Sequence, residues 1–330
     1  MAGLTSRPAV RAALEMALRP YAQVILSRRL VSGGLVLAAI ATFPRAALAS
    51  LLGVVIAQAA VLALGFGRDA AREGIFASAA LLTVLAATMG QDGTTWALLA
   101  AGSVVAVLFA AALQMLLNKY SLPALSLPFV AAAWVVQPTA TLVPPVGGGV
   151  MPLAMLPVSW LAPGALDTPA AMLYVHGAVA GLLLLAAIAW HSRIGLLLAA
   201  VGAVSAALVR WSLRRYVDVG PIDVTAAFNA MLTAMAVGGV WFVPHPSSVA
   251  LALVGGGLTS VVTYALFPVS GLMAVPLLSL PFALTTLLIV AALRLRERDR
   301  YPATALLTAS NPEDALERHL MRVRRFGDFA

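Results

Sequence analysis

Two serines, Ser126 and Ser279, each sit between a pair of prolines inside apolar sequence: Pro123 and Pro128 flank the first, Pro276 and Pro281 the second. The octamers around them, LPALSLPF at residues 122–129 and VPLLSLPF at residues 275–282, are nearly identical. Proline inside a helix removes one donor and frees the carbonyl four residues back. Backbone oxygens near Lys119 and Ala124, and near Leu272 and Leu277, are therefore expected to be released or distorted. With the serine hydroxyls they form a short column of neutral oxygen acceptors, which suits a neutral solute rich in N–H groups and would hold a cation poorly. The alternative is an ordinary kinked helix whose serine bonds back to its own turn, which accounts for one copy as readily as for two.

The elements that must position these groups are set by the solvent. Of 330 residues, 62% are hydrophobic and 10% charged, and the mean hydropathy is +0.96. That composition is an integral membrane protein's. Residues 46–67, 120–166 and 224–293 contain no Asp, Glu, Lys or Arg. About 20 apolar residues cross a bilayer, so the sequence holds about ten hydrophobic elements, several short or broken. Segments this long and continuous make helices rather than barrel strands. Arg7, Arg11 and Arg19 stand near the start; Arg294, Arg296, Arg298, Arg300, Arg318, Arg322, Arg324 and Arg325 follow the last apolar run. By the positive-inside tendency both termini face the cytoplasm, which requires an even number of full crossings. The net charge of +8 then reads as topology and contact with anionic membrane lipids, with no nucleic acid as partner. No cysteine is present, which excludes disulfides and thiolate chemistry. Arg28-Arg29 and Ala47-Leu48-Ala49 imitate a signal peptide, but Pro44 and Arg45 interrupt it, so no cleavage is expected.

Landmarks ahead of each octamer also repeat. Val31-Ser32-Gly33-Gly34-Leu35 resembles Val179-Ala180-Gly181-Leu182-Leu183 at an offset of 148, and residues 80–86 resemble residues 230–236 at an offset of 150. The octamer serines lie 153 apart. The order is kept and the offset drifts slowly, as in an internal duplication. The expected organisation is a cytoplasmic N-terminal segment at 1–19, a first repeat at 20–142, a Pro- and Gly-rich linker at 143–168, a second repeat at 169–293 and a cytoplasmic tail at 294–330. With an odd number of crossings per repeat the second is inverted relative to the first, and the octamers meet about a pseudo-two-fold axis. The expected fold class is an all-α polytopic membrane protein with two inverted-topology repeats, each of about five transmembrane helices plus a re-entrant half-helix.

The octamers resemble the LPxxTxPF signature of the urea transporter family, with serine for threonine in both copies. Gln23-Val24 followed by Val31-Ser32-Gly33 is similar to that family's N-terminal pattern, and residues 228–234 followed by Gly238-Gly239 to its FNxxLxA-type segment. The likeness runs from about Pro20 to Leu293. It implies a channel-type passive route for urea, or a closely related small neutral amide, across the inner membrane, in a homotrimer with one pore per protomer and no cofactor. Carried over by position, the oxygen acceptors are Gln23, Ser126 and Ser279, and the slot walls include Leu26, Leu82, Tyr174, Phe228 and Leu232. Phe129, Asn229 and Phe282 complete the implied pathway. Two departures stand out: Ser78-Ala79 where the first half should match Phe228-Asn229, and Ala171 where the second should match Gln23. Either the pore is asymmetric and wider, or another small polar solute is carried on the same scaffold.

Other chemistries lack their residues. No Asp, Glu, Lys or Arg falls deep within a span, whereas ion-coupled carriers keep one there. His176, His191, His245 and His319 form no HExxH motif or paired-histidine pattern, and there is no Gly-rich phosphate loop, so no enzyme and no metal site is expected. Asn229 is followed by Ala230 and Met231, not by the Pro-Ala of a water-channel turn. In the tail, Asn311-Pro312-Glu313-Asp314 is expected to open a short basic amphipathic helix, with Asn311 as cap and Pro312 in the first turn.

Overall fold

The computed structural model describes residues 6–88, 95–142, 166–215, 222–294, 303–304 and 310–326. The linker expected at 143–168 falls almost wholly outside the described residues. Helices dominate, and the described residues hold no named strand, only an isolated bridge between Phe242 and Thr304. Packing divides the chain into one unit at 1–187 and another at 188–330.

The first unit contains α1 (Ser6–Gln23), α2 (Leu30–Ala41), α3 (Pro44–Ala63), α4 (Gly67–Glu73), α5 (Ile75–Thr88), α6 (Trp96–Asn118), α7 (Leu127–Leu142), α8 (Asp167–Ala171) and most of α9 (Ala178–His191). Local signals set their ends. Thr95 caps α6 by accepting from Leu98 N, and Pro44 opens α3 at its first position, where its missing N–H is no loss. Between α4 and α5 the path bends by 50° at Gly74, whose φ of 78° is open to glycine at little cost. Gln58, buried in apolar α3, donates to Met16 O at 2.7 Å and Ala71 O at 3.0 Å, tying α1 and α4 to one span. Ser32 of α2 donates to Ala187 O of α9 at 3.1 Å.

The second unit contains α10 (Arg193–Leu213), α11 (Ile222–Met235), which runs into a π-helical turn at Ala236–Val240, then α12 (Pro246–Leu272), α13 (Leu280–Arg294) and α14 (Pro312–Phe326). Helices in lipid gain little from hydrophobicity, so small residues bring their backbones together. A Cβ at Gly202 of α10 would lie 2.6 Å from Met231 Cα of α11. The α10–α11 end is pinned by charge: Arg210 Nε lies 2.7 Å from Asp223 Oδ2, and Tyr264 OH donates to Asp223 Oδ1 at 2.8 Å.

By length and composition five helices can cross a membrane: α3, α6, α10, α11 with its π-turn, and α12. The bent α4–α5 pair makes a sixth if taken as one span, and the apolar helices at Leu30–Ala41, Leu127–Val136, Ala178–His191 and Leu280–Arg294 are shorter. The protein is an all-helical, multi-pass membrane protein.

The tail helix forms where the sequence places it. Asn311 Oδ1 accepts from Asp314 N at 2.8 Å, and Pro312 is its first residue. It also docks. Glu313 Oε1 accepts from Ile194 N at 3.0 Å, capping α10 from a distance, and Ala315 buries against Val243. Burial works against the Glu313 carboxylate, but hydrogen bonds from the Ile194 backbone, Ser192 and Arg193 outweigh it and hold its pKa below the usual glutamate value.

Candidate permeation site

In the first unit the chain reverses sharply just after Gln23. Leu26 has φ 58°, with Leu26 N donating to Gln23 O at 2.9 Å and Ser27 N to Ala22 O at 3.0 Å. The end of α8 repeats this geometry: Tyr174 has φ 56°, with Tyr174 N on Ala171 O at 3.0 Å and Val175 N on Ala170 O at 3.4 Å. Left-handed backbone at a leucine and a tyrosine costs about 1–3 kcal/mol each and persists only where the surroundings dictate it. Gln23 Nε2 donates to Glu73 O at 3.1 Å, which fixes the amide by its donor end and leaves Oε1 as its acceptor. Tyr174 meets Phe129 of the first octamer, ring centroids 5.6 Å apart and tilted by 52°. Phe129 is buried, whereas Gln23, Leu26, Leu82 on α5, Ser126 and Tyr174 are half-buried.

The octamers are breaks between separate helices, not kinks within one. α6 ends at Asn118 and α7 begins at Leu127; α12 ends at Leu272 and α13 begins at Leu280. In each gap two non-glycine residues take positive φ, Ser121 and Leu125 in the first (52° and 48°), Ala274 and Leu278 in the second (51° and 52°). The turn bonds correspond: Leu127 N to Ala124 O at 3.1 Å and Leu280 N to Leu277 O at 3.0 Å, then Val130 N to Ser126 O and Ala283 N to Ser279 O, both at 3.1 Å. This corrects the expectation of freed carbonyls at Ala124 and Leu277. Each accepts a backbone bond, because Pro128 and Pro281 occupy the first turn of a new helix, where a missing N–H disrupts nothing.

In the second unit the break is braced by a side chain. Asn229 on α11, fully buried, donates to Leu278 O and to Thr225 O, each at 2.9 Å, and accepts from Phe282 N at 3.1 Å. Its amide thus satisfies a left-handed residue's carbonyl on one side of Ser279 and an orphan N–H of α13 on the other. Phe228 and Leu232, one turn apart on α11, are buried, as are Ser279 and Phe282. Sequence reasoning placed Asn229 along the pathway; its described bonds all go to backbone. Gln58 was missed, although a lone glutamine in an apolar span is the signal that could have found it. Nothing in Leu26, Leu125, Tyr174 or Leu278 advertises left-handed backbone.

Paired helix breaks and strained turns inside apolar helices are features from which polytopic membrane transport proteins build a substrate path. A sequence model of the urea transporter family matches residues 14–294, most of the chain. The chain belongs to the urea transporter family, and it is a transport protein, not an enzyme. A search of curated proteins returned no match.

Proposed function

We propose that the protein is a channel-type, passive pathway for urea or a closely related small neutral amide. One observation carries the reading: left-handed backbone recurs in matched pairs, Leu26 with Tyr174, Ser121 with Ala274 and Leu125 with Leu278, with the same turn bonds around each member. Those pairs fall at the offsets of the repeated sequence landmarks, which supports an internal duplication with each octamer as one acceptor station of the same route. Helix starts follow suit, as at Leu30 and Ala178, Pro44 and Arg193, Trp96 and Pro246, and Leu127 and Leu280. Inversion of the second repeat follows if each crosses the membrane an odd number of times.

On this reading Ser126 and Ser279 accept N–H groups of the solute, Gln23 offers its Oε1, and Leu26, Leu82, Phe129, Tyr174, Phe228, Leu232 and Phe282 form apolar walls that admit a flat molecule. Asn229 fixes the backbone on both sides of Ser279 at the second station. Family membership supports a homotrimer in the inner membrane, and the arginine distribution supports cytoplasmic termini.

The test is urea entry into proteoliposomes over a wide concentration range, with and without a proton uncoupler. A channel gives flux that stays near proportional to urea and ignores the uncoupler. Flux that saturates and collapses with the gradient would replace this reading with a coupled carrier.

A further inference from the structure

Thr285 and Thr286, in the second turn of α13, are 2% and 0% exposed, and neither hydroxyl has a hydrogen-bond partner among the described residues. Other buried hydroxyls on the membrane helices behave differently. Thr83 donates to Ala79 O, Thr259 to Gly255 O and Thr263 to Thr259 O, each at 2.8 Å, and Ser103 donates to Leu99 O at the same distance. Such a bond to the preceding turn is the usual refuge of a hydroxyl in an apolar helix, and it commits the only proton. Thr285 and Thr286 keep theirs uncommitted, although an unpaired buried hydroxyl is unfavourable and valine would fill the same volume.

Helical spacing puts the two threonines on either side of the line from Phe282 to Ile289. Phe282 N is bonded to Asn229 of α11, and a Cβ at Gly255 of α12 would lie 3.0 Å from Ile289 Cδ1. This face of α13 therefore turns into the bundle, one turn beyond Phe282. At the corresponding place after the first octamer the chain has Ala132 and Ala133, so the break itself does not require hydroxyls there.

An amide entering an apolar slot gives up two kinds of water contact. Its N–H groups lose acceptors, which serines and carbonyls replace; its carbonyl oxygen loses donors, which they replace poorly. We propose that Thr285 and Thr286 form a donor station for the carbonyl oxygen of the permeating solute, one turn beyond the second octamer, and so favour a C=O group over a C=S group. The proposal rests on the pathway reading above.

The probes are urea and thiourea, measured by stopped-flow light scattering on liposomes holding the full-length protein. Four variants are compared with wild type: Thr285→Val with Thr286→Val, Thr285→Ser with Thr286→Ser, Ser279→Ala alone, and the valine pair combined with Ser279→Ala. The valine pair should melt no lower than wild type, lose about tenfold in urea flux and change thiourea flux by less than about twofold, while the serine pair keeps urea flux. A valine pair that passes urea at the wild-type rate, or loses urea and thiourea in equal proportion, overturns the proposal. If Ser279→Ala slows urea and the valine pair does not, the donor station fails and the pathway reading stands. Wild-type liposomes no more permeable to urea than empty ones would remove both.

Discussion

The two octamers differ only at their first and third residues and take the same backbone path, yet the polar side chains around them are placed differently. In the first unit two glutamines tie the helices ahead of the octamer to one another: Gln23 bonds Glu73 O, and Gln58 bonds Met16 O and Ala71 O. In the second unit a single amide, Asn229, is bonded on both sides of Ser279. At the corresponding offsets the second region has Ala171 and Ala207 for the two glutamines, and the first has Ala79 for the asparagine. The backbone path is shared although the Asn229 amide is not, so the break is written into the octamer itself. At the first break Ser126 and Tyr174 are half-buried; at the second Ser279 is buried, 4% exposed.

The largest effect should come from the brace. Asn229→Ala leaves the Leu278 carbonyl and the Phe282 N–H without their side-chain partner, at a cost of about 1–3 kcal/mol for each buried group. A fall in melting temperature of the detergent-solubilised protein, with loss of urea flux, is the expected result. Ala79→Ser in the first region should change both little. Equal losses at the two positions would break the comparison.

Next come the glycines where the two regions agree. A Cβ at Gly33 would run into the Leu18 carbonyl oxygen, and one at Gly181 into the Leu166 carbonyl oxygen, the same close approach ahead of each octamer. Backbone cannot rotate out of the way as a side chain can. Gly33→Ala and Gly181→Ala should each destabilise by about 1–3 kcal/mol or more, to similar extents. Thermal unfolding of the two variants side by side sharpens the correspondence if they match and weakens it if only one suffers.

Much of this was legible in the sequence. The bilayer, the helical class, the broken elements and the repeat of the octamer all follow from composition and proline spacing. The form of the break was not, because prolines announce a discontinuity without saying whether a helix bends or stops. Left-handed leucine and tyrosine residues are imposed by packing against local preference, so no propensity reveals them. Asn229 stood out as a polar residue in an apolar helix, but only the fold shows that its amide faces backbone on both sides of the break. The docking of α14 depends on Glu313 reaching residues more than a hundred positions away in sequence, a contact with no local signature.

The smallest effect belongs to that tail, which lies beyond the family-matched residues and touches neither octamer station in the proposed route. Glu313→Ala removes a cap worth about 1 kcal/mol and should speed hydrogen exchange in residues 312–323, with urea flux within about twofold of wild type. The pH dependence has a definite sign. Because the folded-state pKa of Glu313 lies below its unfolded value, its contribution is present above the usual glutamate pKa and is lost as pH falls through the lower folded value. Exchange in this segment should therefore rise on acidification in the wild type and less so in Glu313→Gln.

The central claim is that each octamer is repeated because the solute needs an oxygen acceptor at both stations. It is tested most directly by stopped-flow urea flux through liposomes carrying Ser126→Val, Ser279→Val, and the corresponding threonine variants. A lost hydrogen bond worth about 0.5–1.5 kcal/mol slows passage several-fold. Each valine variant should show that loss at unchanged protein yield, and each threonine variant, with its oxygen restored in nearly the same volume, should conduct as wild type. Valine variants that pass urea at the wild-type rate would reduce both serines to packing residues and contradict the account.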